Sequence, residues 1–118
     1  MKKGPFVLDQ ADAHARENQE YERVLVTTEH MQYVEMHLEP GQEMGRTTHP
    51  DTTRYFYVHA GQGVARVDGR VFSVSTGSMF VVPANLTHNV TALSGASGLW
   101  LHTTYAPPPP HAKEERKE

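Results

Sequence analysis

Turn signals cut the chain at short intervals along most of its length. Glu39-Pro40-Gly41, Gly61-Gln62-Gly63, Asp68-Gly69, Gly77, Pro83 and residues 94–98 each interrupt an extended run. The runs between them alternate. Over residues 30–38, Val34, Met36 and Leu38 share one face, while Tyr33, Glu35 and His37 share the other. That period of two predicts a strand with one face buried. Asp68-Gly69, set between residues 64–67 and 71–74, is the signal of a two-residue hairpin. Residues 54–58 are aromatic and extended, and Gly61-Gln62-Gly63 predicts a break after them. Further short runs lie at 79–82, 88–92 and 99–105. Seven or eight short strands with little helix predict an all-β sandwich or barrel. Outside it, residues 1–22 form an N-terminal arm, polar over 6–22 and suited to a short helix or irregular chain. Residues 23–106 form the β domain. Residues 107–118 form a tail, with four prolines in extended form followed by a charged, flexible end.

Composition narrows the function classes. The 118 residues suit one domain. Hydrophobic residues make up 37%; counting Gly with them gives about 45%, ordinary for a globular protein. No apolar stretch approaches the roughly 20 residues of a membrane helix. Two lysines near the start lack an apolar stretch behind them, against a secretory leader. There is no Cys, so disulfides, thiolate metal sites and Cys nucleophiles are excluded. These points fit a cytoplasmic protein. Eleven basic and fourteen acidic residues are scattered, without the basic patch that nucleic acid requires. Histidine stands out at 8 residues and directs attention to metal or acid–base chemistry. No nucleophile elbow accompanies the Ser, His and Asp residues, so a hydrolase triad has no support.

Two spaced patterns carry a resemblance. Gly41 is followed after five residues by Thr47-Thr48-His49, after four more by Arg54, and after six more by Gly61. Gly77 is followed after five residues by Pro83-Ala84-Asn85, after two more by His88, and after three more by Ala92. Both spacings are those of the cupin motifs. Tyr55-Phe56-Tyr57-Val58 and Val81-Val82-Pro83-Ala84 strengthen the likeness. The chain resembles the cupin superfamily over about residues 24–106, in particular small single-domain cupins similar to the cupin part of mannose-6-phosphate isomerase. The resemblance implies a cupin-type antiparallel β-barrel, or jelly roll, and a homodimer.

In cupins two His and one Glu of the first motif, with one His of the second, converge on a divalent metal. Imidazole and carboxylate suit Fe, Mn, Ni, Cu or Zn. Here Thr47 stands at the first His and Arg54 at the Glu, so only His49 and His88 remain as metal ligands. A hydroxyl is a poor ligand, and a guanidinium that keeps its proton repels a cation. The implied metal is therefore weak or absent, unless Asp51 neutralises Arg54 or His102 supplies a third imidazole. A guanidinium fork in a barrel also suits a carboxylate or phosphate.

Three functions follow. In the first, the barrel binds a small polar ligand, a carboxylate or sugar phosphate in the anionic case. Arg54 anchors it, Thr47 and His102 line the site, and His49 and His88 contact it or perform isomerase-like acid–base chemistry. In the second, a metal-dependent dioxygenase or isomerase uses His49 and His88. In the third, the barrel is a non-catalytic dimeric scaffold or sensor. None involves nucleic acid or a membrane.

Other residues are placed by alternation. Val34, Met36, Leu38, Phe56 and Val58 are core candidates. Met44, Phe80 and Trp100 are candidates for the pocket mouth. His59, out of phase with Arg54, faces outward as a strand-end surface or interface residue, and the face of His102 stays open. Tyr33, Tyr55 and Tyr57 cover an outer sheet or a dimer interface. His14, His30, His37 and His111 are read as solvated.

Overall fold

The structure is a computed structural model that describes residues 5–110. One short helix, α1 (Ala11–Arg16), precedes seven strands. They are β1 (Glu22–Thr27), β2 (Gln32–Leu38), β3 (Thr53–Val67), β4 (Arg70–Ser75), β5 (Met79–Val82), β6 (His88–Ala92) and β7 (Leu99–Ala106). Every pairing is antiparallel. This is the mostly-β antiparallel architecture expected from the turn-punctuated sequence, and it fits the jelly roll that the resemblance implies.

The 15-residue β3 organises both sheets. Its first half pairs with β7 and β5, in a sheet that continues through β2 to β1. Its second half pairs with β4 and β6. Gly61-Gln62-Gly63 is therefore a corner rather than the expected break. The pairing with β7 shifts register between Val58 and Ala60, and Gly61 follows at a φ of +108°. A side chain on Gly61 would meet the carbonyl oxygen of Gly98, and one on Gly63 would lie 2.7 Å from the oxygen of Thr91. Bare backbone lets the strand bend against its neighbours without leaving the ladder. The next turn matches its signal: Asp68 and Gly69, at φ of 51° and 83°, join Val67 to Arg70. Both positive angles are those of a type I′ hairpin.

The inner faces meet in one apolar core. Val34, Met36, Leu38, Phe56, Val58, Leu99 and Leu101 are at most 1% exposed and close on Ala65, Val82 and Val90. Each large side chain contributes about 1.5–3 kcal/mol by leaving water.

The outer face of the first sheet departs from expectation, because β2 is buried on both sides. Glu35 and His37 are buried along with Val34 and Met36. The N-terminal arm is the cause. Ala15 of α1 is 1% exposed, and α1 packs against β3 and β7. Trp100 Nε1 donates to the Asn18 carbonyl at 3.2 Å. Beneath the arm, Arg23 donates twice to Glu35 Oε1, at 3.0 and 2.6 Å, and His14 lies 2.7 Å from Glu35 Oε2. His14 and His37 are thus not the solvated residues expected, and His59, on the outer face as expected, is covered there. His14 pairs with Glu35, while His37 and His59 are each 5% exposed. His30 is exposed as expected, and His111 lies outside the described residues.

At the other end of the domain, Pro108 and Pro109 are buried and Thr52 Oγ1 donates to the Pro107 carbonyl at 2.8 Å. The start of the proline run is thereby anchored. The rest of the expected tail, residues 111–118, lies outside the described residues.

Candidate functional site

Thr47 and His88 reach each other through the backbone. Thr47 N donates to the His88 carbonyl and His88 N to the Thr47 carbonyl, both at 2.9 Å. This isolated bridge ties the loop after β2 to the start of β6. Asn85 N donates to the His49 carbonyl at 2.8 Å, which fixes the loop's far side. The His49 and His88 rings come to 6.1 Å between centroids.

Arg54 enters from β3 on the inward face, in phase with Phe56 and Val58. It is 2% exposed. Its guanidinium lies 4.5 Å from the ring centres of both Phe56 and Tyr105. Nε donates to Thr103 Oγ1 at 2.9 Å, and Nη2 lies 3.7 Å from the Met36 sulfur. Nη1 lies 3.2 Å from His88 Nε2. On its other side, His88 Nδ1 donates to the Leu86 carbonyl at 3.0 Å. Since a carbonyl only accepts, the neutral ring keeps its proton on Nδ1 and Nε2 accepts from Arg54. The groups in direct contact with this cation include a hydroxyl, an imidazole, a thioether and two ring faces, and Glu22 adds a carboxylate charge to its surroundings.

A cavity of about 190 Å³ opens beside Arg54. Thr47, His49 and Met44 line one part of it; Tyr21, Glu22 and Tyr105 line another. Arg46, exposed, also borders it. Tyr21 donates its hydroxyl to the Met44 carbonyl at 2.9 Å, which joins the two parts. His88 does not line the cavity and acts on it through Arg54.

Burial governs the local electrostatics. It pulls the Arg54 pKa down from its ordinary value, while Tyr105, Glu22 and Tyr21 oppose the fall. It also pulls His88 down; the Leu86 carbonyl opposes this and the Arg54 charge reinforces it. His88 is accordingly a neutral acceptor.

The sequence brought Thr47, His49, Arg54 and His88 to one place, and Met44 to the mouth. It did not foresee Tyr21, Glu22 and Tyr105. Glu22 is the carboxylate that acts on Arg54; Asp51 is exposed and does not line the cavity. Glu22 could not be read because β1 is intermediate in burial throughout, so its pattern marks no inward face. His102 faces the opposite side of the sheet, stacked on Tyr33 at 4.5 Å, and so takes no part in this cavity. Trp100 also lies on that outer side, 4.6 Å from His37, and Phe80 stacks on Phe56 at 4.6 Å rather than lining the mouth.

These residues do not fit a divalent metal. The Nε2 lone pair of His88 accepts from Arg54, and the guanidinium stands where a cation needs a carboxylate. No group of three or more His, Asp or Glu suited to an ion occurs among the described residues.

The family described as Cupin domain matches residues 34–104. Over 110 residues, 88% of this chain, identity is 32% to the Uncharacterized protein YrkC of Bacillus subtilis (strain 168). The chain spans 58% of the length of the curated relatives it matches. The crystal structure of BH2720 from Bacillus halodurans superposes with a TM-score of 0.83 at 27% identity, covering 89% of this chain and 83% of that one. An RmlC-like cupin from Shewanella frigidimarina NCIMB 400 superposes with a TM-score of 0.70 at 22% identity, covering 77% and 78% of the two chains. This last likeness concerns the fold alone.

Proposed function

The chain belongs to the Cupin domain family, and from that premise we propose that its barrel binds a small organic anion, with a carboxylate preferred. One observation carries the reading. The buried guanidinium of Arg54 borders the cavity, its hydrogen bonds go to Thr103 and His88, and the carboxylate of Glu22, which also lines the cavity, offsets its charge only in part. A carboxylate entering there gains charge-assisted hydrogen bonds, worth about 1.5–3 kcal/mol each. The fork geometry of Arg54 suits the two oxygens of that group. Size favours a small acid over a sugar phosphate: the cavity holds about 190 Å³, against roughly 300–1,000 Å³ for pockets that take drug-sized ligands.

His49 and Thr47 offer hydrogen-bonding groups to the rest of the ligand. Any acid–base step falls to His49, which borders the cavity, because His88 Nε2 is held by Arg54. His88 keeps the guanidinium in place.

Titration calorimetry with a panel of small mono- and dicarboxylates and hexose phosphates tests the proposal. Wild-type protein should bind at least one carboxylate. Arg54→Met should weaken it by roughly tenfold or more, with melting temperature confirming that the variant is folded. Arg54→Lys, which keeps the charge and loses the fork, should fall between. Equal binding by wild type and Arg54→Met would remove Arg54 from the account. Binding of hexose phosphates alone would replace the carboxylate.

A further inference from the structure

The outer face of the first sheet holds a second arrangement of titratable groups, unconnected with the cavity. Asp12 of α1 accepts from His59 Nδ1 at 2.7 Å. His59 Nε2 lies 2.8 Å from His102 Nδ1. The carboxylate only accepts, so with His59 neutral its Nδ1 carries the proton and its Nε2 accepts from His102. His102 therefore has its own proton on Nδ1, and Nε2 is the lone-pair end of the chain. His59 is 5% exposed and locked in place, while His102 is partly open to solvent. Tyr33 stacks on the His102 ring at 4.5 Å and Tyr57 at 5.8 Å, with Tyr55 tilted at 5.7 Å. These rings hold the imidazole in place.

We propose that His102 is a nucleophile toward aryl esters of small carboxylic acids, with His59 and Asp12 as its positioning residues. His102 Nε2 attacks the ester carbonyl; the carbon–nitrogen bond forms and the bond to the aryl oxygen breaks. The aryloxide leaves. The acylated ring sheds its Nδ1 proton to His59 Nε2, and Asp12 steadies the resulting imidazolium. Water then attacks the acyl carbon and the carbon–nitrogen bond breaks; the hydroxyl stays on the acyl group, and the water's other proton passes through solvent to the departed aryloxide, which becomes the phenol. The proton held on His59 returns to His102 Nδ1, and the acid is released. One ester and one water give one acid and one phenol.

The charge state suits this role. Burial, helped by the neighbouring His59 and opposed by Glu35, lowers the His102 pKa to about 4. The ring is therefore unprotonated at neutral pH. Low basicity limits it to good leaving groups, hence aryl rather than alkyl esters.

The first test follows p-nitrophenyl acetate hydrolysis by the full chain. His102→Gln and His59→Gln should each lower the rate by roughly tenfold or more relative to wild type. His30→Gln, altering an exposed ring, should leave it unchanged. Asp12→Ala should lower the rate and Asp12→Glu restore most of it, while a purely structural contact would move melting temperature and rate together. Should His102→Gln fail to fold, wild-type protein treated with substoichiometric diethyl pyrocarbonate decides the matter by peptide mass mapping. His102 should be modified ahead of His30. Modification of His30 first, or equal esterase rates in folded His102→Gln and wild type, would overturn the proposal.

Discussion

A buried cation whose hydrogen bonds go to neutral groups is costly to the fold, because burial removes its water and a neighbouring carboxylate, here Glu22, repays only part of that. Arg54 is such a residue, and its substitution should separate stability from binding. Arg54→Met fills a similar volume without charge, so its melting temperature should equal or exceed that of wild type while anion binding is lost. A substantial fall in melting temperature would mean that Arg54 is chiefly structural. Glu35 presents the opposite case. It is 0% exposed and bonded by Arg23 and His14. Glu35→Ala strands a cation beside the core and should cost about 3 kcal/mol in denaturant unfolding, the lower end of the range because Arg23 keeps some access to water. Two histidines set the response to acid. His88 and His102 have folded pKa values below the unfolded value of 6.5, with His102 at about 4. A base whose folded pKa is depressed favours folding when neutral. Its contribution is complete above pH 6.5 and drains away as pH falls toward the folded value. Melting temperature should therefore drop between pH 6.5 and 4, and the His88→Gln, His102→Gln double variant should show a flatter profile.

At the level of the element, β3 explains both a misreading and a vulnerability. Gly61-Gln62-Gly63 has the composition of a break, and the local rules for turns could not distinguish a break from a bend. What decides between them is β7 on one side and β4 and β6 on the other, partners far away in sequence. The same crowding gives a prediction. Gly61→Ala combines a positive φ with a clash against Gly98, and should lower stability by more than about 2 kcal/mol in denaturant melts. Gly69→Ala also sits at positive φ, but meets nothing within 4 Å and should be milder. Asp68-Gly69 was legible for the converse reason, since a two-residue hairpin is fixed by its own residues. Val34, Met36 and Leu38 were legible as well, because a period of two identifies one face of a strand. That the other face, with Glu35 and His37, is buried too depends on α1, six residues whose polar sequence gives no sign of where they dock.

For the whole molecule, the motif spacing placed the barrel and four residues of the site, while the electrostatic balance lay beyond it. Thr47, His49, Arg54 and His88 are separated by fixed counts along the chain, and the jelly roll turns those counts into proximity. Glu22 and Tyr21 arrive from the other side of the barrel, through a strand whose register against β2 only folding reveals. Tyr105 shares the rung of Arg54 for the same reason. The arm that precedes β1 therefore serves two surfaces. It covers the outer face with α1 and delivers Tyr21 to the cavity. Removing residues 1–20 should lower the melting temperature and expose Trp100, seen as a red shift of its fluorescence, since the Asn18 carbonyl that accepts from its indole would be gone.

Alternation along β3 has one more consequence. Arg54 faces the cavity while Tyr55 and Tyr57 face the histidine chain, and all three lie on the same unbroken stretch of the ladder with β7, before the register shift at His59. A slip of one position would turn each of these side chains to the opposite side of the sheet. The two surfaces therefore vouch for each other, like the obverse and reverse of a coin struck in one blow. A preparation that answers correctly on one face has its register right, and so carries the other face intact.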